Sequence, residues 1–399
     1  MRIALVTSDP VQAGRQADQA SGTDQAARGQ RIVSLGRALA DHGHQVTIYS
    51  RADSAGPHRA ARLSPGLTTE PVAVGPAGPL ADERAVEHLA SFSGTLAERW
   101  QQDRPDVVHA HYWTAGLAAL TAAREVPVPV VQTFHELAGS RRGTVTSVAR
   151  KRLEPVIARS VSAVLAGTSA ELAALTRLGV PRAAVRVVPC GVDTSTFAPV
   201  GPVARRTRRP RLLAMAAQAA DHGLDVVLNA LPRLPGTELL IAGGPPKAQL
   251  SGDPELRELA ALAKRRGISD RVLFTGEVSA ARLPALLRSA DLLVHVAADE
   301  PLGLVPLQAM ACGTPVVAAA GGSYHDAVVD GATGLLVPAG QAGELARRIR
   351  QLLATPMLLQ GYGIAAADRA TARYSWDRIG QETLAVYERS LTTRREAAA

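Results

Sequence analysis

The sequence predicts an α/β protein made of two parallel sheets in series, each wound with helices. Three observations predict it. Strand-length apolar runs alternate with helix-length segments along nearly all of the 399 residues. At roughly 150 residues per domain, that length asks for more than one core. An Arg/Pro-rich stretch, Arg205-Arg206-Thr207-Arg208-Arg209-Pro210-Arg211, interrupts the alternation midway.

In the first unit, residues 3–6, 45–49, 107–109, 128–133 and 163–166 have strand length and apolar character. Residues 31–42 predict a helix with Ile32, Val33, Leu35, Ala38 and Leu39 on one side and Gly43 as its C-cap. After the basic stretch, residues 211–215, 238–241, 271–274, 292–296 and 315–317 repeat the strand pattern. The junction is expected near residues 200–210, giving domains 1–200 and 201–373. Residues 374–390 predict an amphipathic helix with Trp376, Ile379, Leu384 and Val386 as apolar points, and in this architecture the segment 374–399 crosses back to the first domain. Ligands of such sheets sit at the carboxyl ends of the strands, so the active site is expected in the cleft between the units.

Composition narrows the function. The chain is 46% hydrophobic and 3% aromatic, so its cores are built from Ala, Val and Leu. The net charge of +8 comes from dispersed arginines with few aromatics for base stacking, which argues against nucleic acid. The Arg205–Arg211 cluster fits a solvated linker, or a surface for an anionic nucleotide or an acidic membrane, so peripheral membrane contact stays open. Cys190 and Cys312 stand in apolar contexts as free thiols of a reducing compartment. No metal-ligand spacing exists and no cofactor is expected. Residues 1–8 have strand length rather than the form of a signal peptide, and no stretch reaches the roughly 20 apolar residues of a membrane span, so a cytoplasmic location is expected.

The motifs identify more. Gly22-Thr23-Asp24 precedes a helix that ends in Ala40-Asp41-His42-Gly43-His44-Gln45-Val46-Thr47. Asp106-Val107-Val108-His109-Ala110-His111-Tyr112-Trp113-Thr114-Ala115-Gly116, Val131-Gln132-Thr133-Phe134-His135-Glu136 and Val188-Pro189-Cys190-Gly191-Val192-Asp193 with Phe197 follow. Ala242-Gly243-Gly244-Pro245, Val272-Leu273-Phe274-Thr275-Gly276, Glu300-Pro301-Leu302-Gly303-Leu304-Val305-Pro306-Leu307-Gln308 and Asp330-Gly331-Ala332-Thr333-Gly334 complete the set. In order and spacing this resembles the family 4 glycosyltransferases (glycosyl transferases group 1) of GT-B fold, in which two Rossmann-like doubly wound domains face each other across a cleft. The H-x-H-Y-W-x-x-G element at 109–116 leans toward the branch of sucrose-phosphate synthases and mycothiol glycosyltransferases.

The resemblance implies a retaining, metal-independent transfer of a sugar from a nucleoside diphosphate, which is a co-substrate rather than a cofactor. It makes Glu300 the grip on the sugar hydroxyls, and a carboxylate beside a helix-opening turn suits that task; a helix N-cap acid is the alternative. The amides of Gly303, Leu304 and Val305 would meet the β-phosphate, since N–H groups at a helix start lack internal acceptors. The resemblance adds Gly22, Thr23, Gly276, Leu302 and Gln308 to the donor set. His135, at the end of a buried strand, takes the place of the family's active-site histidine, against a purely structural role. His109 and His111 read as packing or hydrogen-bonding residues. Tyr112 and Trp113 line an acceptor pocket or pack in the core. Arg84, Tyr112 and Glu136 are the acceptor candidates.

Departures from the pattern set this chain apart. The arginine and lysine that usually neutralise the diphosphate align with Ala217 and His222. Losing two such contacts costs on the order of 3 to 6 kcal/mol of leaving-group stabilisation unless another cation substitutes. Gln308, eight positions after Glu300, replaces a second glutamate and accepts ribose hydroxyls more weakly; His325 replaces an acid. Where the mycothiol enzymes bind an acceptor phosphate, Ala81-Asp82-Glu83 stands in place of a lysine and Glu136 in place of a threonine, which points away from an inositol phosphate. The expected activity is transfer to a hydroxyl or thiol of a small polar acceptor in a specialised pathway. The alternative is a non-catalytic homologue that binds a sugar nucleotide or partners an active enzyme, and an epimerase of the same fold lacks motif support.

Overall fold

The computed structural model describes residues 1–11, 24–52, 59–76, 80, 82–139, 146–216, 223–297 and 303–398. Among these, the chain up to Gly191 together with Trp376 onward forms one compact unit, and Val192–Ser375 forms another.

The first unit holds eight strands: β1 (Arg2–Thr7), β2 (Gln45–Arg51), β3 (Ala61–Ser64), β4 (Leu67–Val72), β5 (Val107–His111), β6 (Val130–Thr133), β7 (Ala163–Ala166) and β8 (Val185–Val187). They lie in the order β3-β4-β2-β1-β5-β6-β7-β8, parallel except for the antiparallel β3–β4 pair. The second unit holds β9 (Arg211–Ala216), β10 (Glu238–Gly243), β11 (Val272–Gly276), β12 (Leu292–His295), β13 (Val316–Ala319) and β14 (Gly334–Val337), all parallel, in the order β11-β10-β9-β12-β13-β14. In each sheet the winding reverses once, beside β1 and β5 in the first and beside β9 and β12 in the second. Loops leaving the carboxyl ends of those neighbours diverge, and that is where doubly wound sheets bind ligands.

Strands β3, β4, β8 and β14 add to those expected from the sequence. In β4 the inward positions are Leu67, Thr69 and Val72, so a threonine stands where an apolar residue would have marked the strand. Strand β6 begins at Val130 rather than 128, since Pro129 has no N–H for the ladder and offers only its carbonyl, to Val108.

The expected junction at residues 200–210 falls instead at 191/192, because the intervening residues already pack in the second unit. Val192 and Phe197 join its core, and Arg288 donates to the carbonyls of Ala198 and Pro202. The basic stretch is neither a solvated linker nor an open anion surface throughout. Arg211 is buried with its Nε 2.6 Å from Glu238 and its Nη1 3.0 Å from the Ser289 hydroxyl, Thr207 donates to the same Glu238 carboxylate, and Arg206 pairs with Asp291 at 2.6 Å. These pairs clamp the amino ends of β9, β10 and β12, the edge opposite the ligand loops.

Helix Trp376–Ala398 packs on helix Asp24–Asp41 of the first unit. Its Ile379, Leu384, Val386 and Tyr387 share a core with Ile3, Leu5, Ile32 and Leu39. Each such buried side chain is worth about 1.5–3 kcal/mol. Gly380 permits the close crossing, since a Cβ there would stand 3.2 Å from Ala38 Cβ. The ring of Trp376 fills the space beside Gly191, where no side chain would fit.

Candidate active site

In the first unit, β1 and β5 run in register with Thr7 beside His111, and β5 and β6 with His111 beside Thr133. The side chains of His109 and His111, two apart on one strand, therefore share a face. His109 Nδ1 lies 2.7 Å from the Tyr387 hydroxyl and its Nε2 2.8 Å from Thr133 Oγ1, so both ring nitrogens are occupied. His111 Nδ1 lies 3.0 Å from His135 Nε2, with the two rings stacked at 5.2 Å.

Among the described residues, the two non-glycine residues with positive φ are Tyr112 (67°) and His135 (63°), and their rings lie 4.6 Å apart. Tyr112 directly follows β5, and His135 stands two residues past the end of β6. A left-handed conformation costs an ordinary residue about 1–2 kcal/mol and persists where surrounding structure holds it. Here Phe134 and Leu137, both buried, anchor the turn on either side of His135. Gln132 Nε2 donates to the carbonyls of Tyr112 and Thr133, tying the two turns together. A Cβ on Gly116 would collide with the Gln132 side chain, which explains a glycine in the first turns of helix Tyr112–Glu125. Trp113 is core, packed with Phe134 and Ile157.

Burial drives the histidine pKa values down: His111 to about 3, and His109 and His135 well below the usual value, with His111, Arg31, His109 and Arg28 adding to the effect at His135. All three are neutral at pH 7, and one proton occupies the His111–His135 contact. His111 Nε2 has no hydrogen-bond partner among the described residues. A buried nitrogen is better left as an unmet acceptor than as an orphaned N–H, so the proton belongs on His111 Nδ1 and His135 carries its own on Nδ1. His135 then offers an N–H donor at the ligand edge. Arg28 stands over the Tyr112 ring at 4.7 Å, 3.9 Å from the buried Asp9 carboxylate.

The loop after His135 is held from below. Glu154, buried in helix Val148–Ser160, accepts from the Ala138 amide at 2.7 Å and from Arg150 Nε at 2.6 Å, while Arg150 also donates to the Glu136 carbonyl. Burial raises the Glu154 pKa, and these two donors oppose the rise. Glu136 itself is half-buried, and Arg84 is exposed on the short helix Asp82–Ala85.

In the second unit, glycine turns end β10 and β11, the strands on one side of β9. Gly243 and Gly276 have φ of 104° and 70°; a Cβ on the first would strike the Ala216 carbonyl, and on the second would stand 2.8 Å from that of Pro245. Gly303, at φ 58°, caps helix Leu304–Ala311, whose first amides have no acceptor within the helix. Gln308 is 2% exposed one turn further in. His295 ends β12, and its Nδ1 lies 2.6 Å from the hydroxyl of the buried Tyr324. Burial lowers its pKa to about 4. His325 points to solvent from helix Tyr324–Ala327. Gly22, Thr23, Ala217, His222, Glu300 and Leu302 lie outside the described residues.

Sequence reasoning missed Arg28, Arg31, Gln132, Tyr387 and His295. Only His295 carried a local signal, a histidine closing an apolar strand. Among the described residues no group of His, Cys, Asp and Glu forms a metal cluster, and no helix is long and apolar enough to cross a membrane.

Sucrose-phosphate synthase from Thermosynechococcus elongatus superposes with a TM-score of 0.81 at 26% identity, over 98% of this chain and 99% of that one. Anabaena HepE, solved with UDP and glucose, superposes at 0.71 and 20% identity, over 97% and 99%. Two parallel-sheet domains of this topology define the GT-B class of glycosyltransferases. The family model described as Glycosyltransferase Family 4 matches residues 29–196, and that described as Glycosyl transferases group 1 matches residues 202–369. D-inositol 3-phosphate glycosyltransferase of Xylanimonas cellulosilytica is 35% identical over 92% of each chain, and that of Acidothermus cellulolyticus 32% identical over 92% of this chain and 86% of its own. The chain belongs to the family 4 glycosyltransferases, which take their sugar from nucleotide-sugar donors.

Proposed function

We propose that this enzyme is a retaining transferase that moves a sugar from a nucleoside diphosphate to a hydroxyl or thiol of a small polar acceptor that lacks a phosphate. The observation that carries it is His135: a strained turn at the carboxyl end of β6, locked by His111 and Gln132, that holds one N–H donor on the ligand edge. Retention requires the acceptor to enter on the face the diphosphate leaves. The C1–O bond to the phosphate breaks, the C1–O or C1–S bond to the acceptor forms, and the acceptor proton passes to the departing phosphate oxygen. In this proposal the Gly303 turn and the amides of Leu304 and Val305 receive the β-phosphate, Glu300 holds the sugar, and protein groups rather than a metal balance the charge. Arg28 and Arg31, whose charges are felt at His135, supply positive potential for an anionic substrate at that turn.

The acceptor follows from Glu136. A carboxylate directly after His135, where the mycothiol enzymes carry a threonine, disfavours an acceptor phosphate. The non-catalytic alternative is not favoured, since the curated relatives that span nine-tenths of the chain are named as transferases.

A thermal-shift panel of UDP, GDP, ADP and dTDP and their sugars tests the donor, followed by NMR of the product anomer with neutral polyols and with D-inositol 3-phosphate as acceptors. The proposal expects one nucleotide to raise the melting midpoint, a product that keeps the donor's anomeric configuration, and transfer to a neutral acceptor only. An inverted product, preference for the phosphorylated acceptor, or no stabilisation by any nucleotide at millimolar concentration contradicts it.

A further inference from the structure

Residues 146–187 carry an unusual distribution of charge. Their exposed charged side chains are Lys151, Arg152, Arg159, Arg177 and Arg182, all basic. The two acids of the stretch turn inward: Glu154 into its pair with Arg150, and Glu171 onto the Gly167 amide at 2.7 Å, capping helix Ser169–Arg177. On helix Val148–Ser160, the residues Val148, Arg152, Val156 and Arg159 fall at i, i+4, i+8 and i+11, one continuous outward stripe. Val148 is 65% exposed and Val156 49%, and Leu178, whose carbonyl accepts from Arg159 Nη1 at 3.1 Å, extends the same face at 37%.

We propose that this face docks the enzyme on an anionic lipid bilayer. Basic side chains interleaved with exposed branched aliphatics match an interface whose headgroups are negative and whose boundary is apolar. The same cations suit any polyanion, but three exposed aliphatic side chains gain nothing from a nucleic acid, and no aromatic residue stands on the face to stack with bases. The apolar area is small, so attachment is reversible and driven mainly by charge, and it weakens with salt. This inference is independent of the donor and acceptor assignments, because none of these residues belongs to the proposed site.

Co-sedimentation of the full chain tests it, using phosphatidylcholine vesicles with and without phosphatidylglycerol, at low and at high salt. Binding is expected only with phosphatidylglycerol and is lost at high salt. Replacing Lys151, Arg152 and Arg177 together by Gln weakens it roughly 100-fold, at about one elementary attraction per basic residue, and V148S/V156S weakens it several-fold further at unchanged charge. Both variants keep the wild-type melting midpoint and nucleotide-induced shift. Equal binding to pure phosphatidylcholine, or a triple variant that binds as wild type, overturns the proposal. So does a chain that ignores both vesicles but binds a single-stranded oligonucleotide.

Discussion

His111 Nδ1 and His135 Nε2 lie 3.0 Å apart, and because burial keeps both rings neutral, one proton fixes the hydrogen-bonding character of the pair. In the proposed site His111 thereby decides what His135 presents to the substrate without touching that substrate itself. It acts as a positioning residue in the same sense that outer groups orient a catalytic histidine.

Replacing His135 by Ala is expected to lower kcat about 100-fold, the usual cost of one oriented donor. His111→Phe, which keeps a ring but removes the bond, lowers kcat about tenfold with little change in donor KM. The double variant is no worse than His135→Ala alone, because the two changes remove one function. Steady-state kinetics with the preferred donor checks this. Additive losses show that His111 acts elsewhere.

Arg211 and Glu238 form a buried pair in which neither partner tolerates the other's removal. Arg211→Leu alone is expected to cost about 3–5 kcal/mol by leaving Glu238 buried and unpaired, while Arg211→Leu with Glu238→Leu recovers most of it. Urea denaturation measures both. A double variant as unstable as the single one would show that the contacts of Thr207 and Ser289, rather than the ion pair, set the cost.

Acid should weaken the second unit through His295. Its pKa is about 4 when folded against a usual value of 6.5, so the unfolded chain binds more protons between those values and stability falls as pH drops through that window. His295→Gln is less stable than wild type at pH near 7.5, where the bond to Tyr324 counts, but the gap narrows by about 1.4 kcal/mol per pH unit below roughly 6.5. Urea midpoints at a series of pH values report the slope, and parallel curves for the two proteins contradict the assignment.

Much of the fold was legible because strands such as β1, β9 and β10 are continuous apolar runs, which is how strands covered on both faces appear in sequence. The clamp at the amino ends was not legible. Arg211 meets Glu238, 27 residues away, and Arg206 meets Asp291, 85 away, so a local count of basic residues sees charge without its partners. The same limit applies to the site. His135 announced itself by its place after a buried strand, whereas the Tyr387 hydroxyl that fixes His109 comes from 278 residues downstream. Tyr112 showed an aromatic beside a strand end, but its positive φ belongs to the backbone, which residue type alone does not reveal.

Gln308 is buried at the first turns of the helix that Gly303 opens. Restoring the acid, Gln308→Glu, is expected to destabilise the ligand-free protein by about 1–3 kcal/mol, the cost of burying a carboxylate where a neutral amide stood, and to enlarge the stabilisation conferred by the nucleotide sugar. Melting curves with and without donor separate the two effects. An unchanged nucleotide shift places Gln308 away from the ribose.

The central claim is that the sugar side of the family's donor site is kept and performs transfer. Release of nucleoside diphosphate by wild type and by Glu300→Ala, with the donor that stabilises the protein most, tests it directly. The account predicts that the variant melts within a degree or two of wild type yet turns over at least about 100-fold more slowly. Near-normal turnover in Glu300→Ala would contradict it.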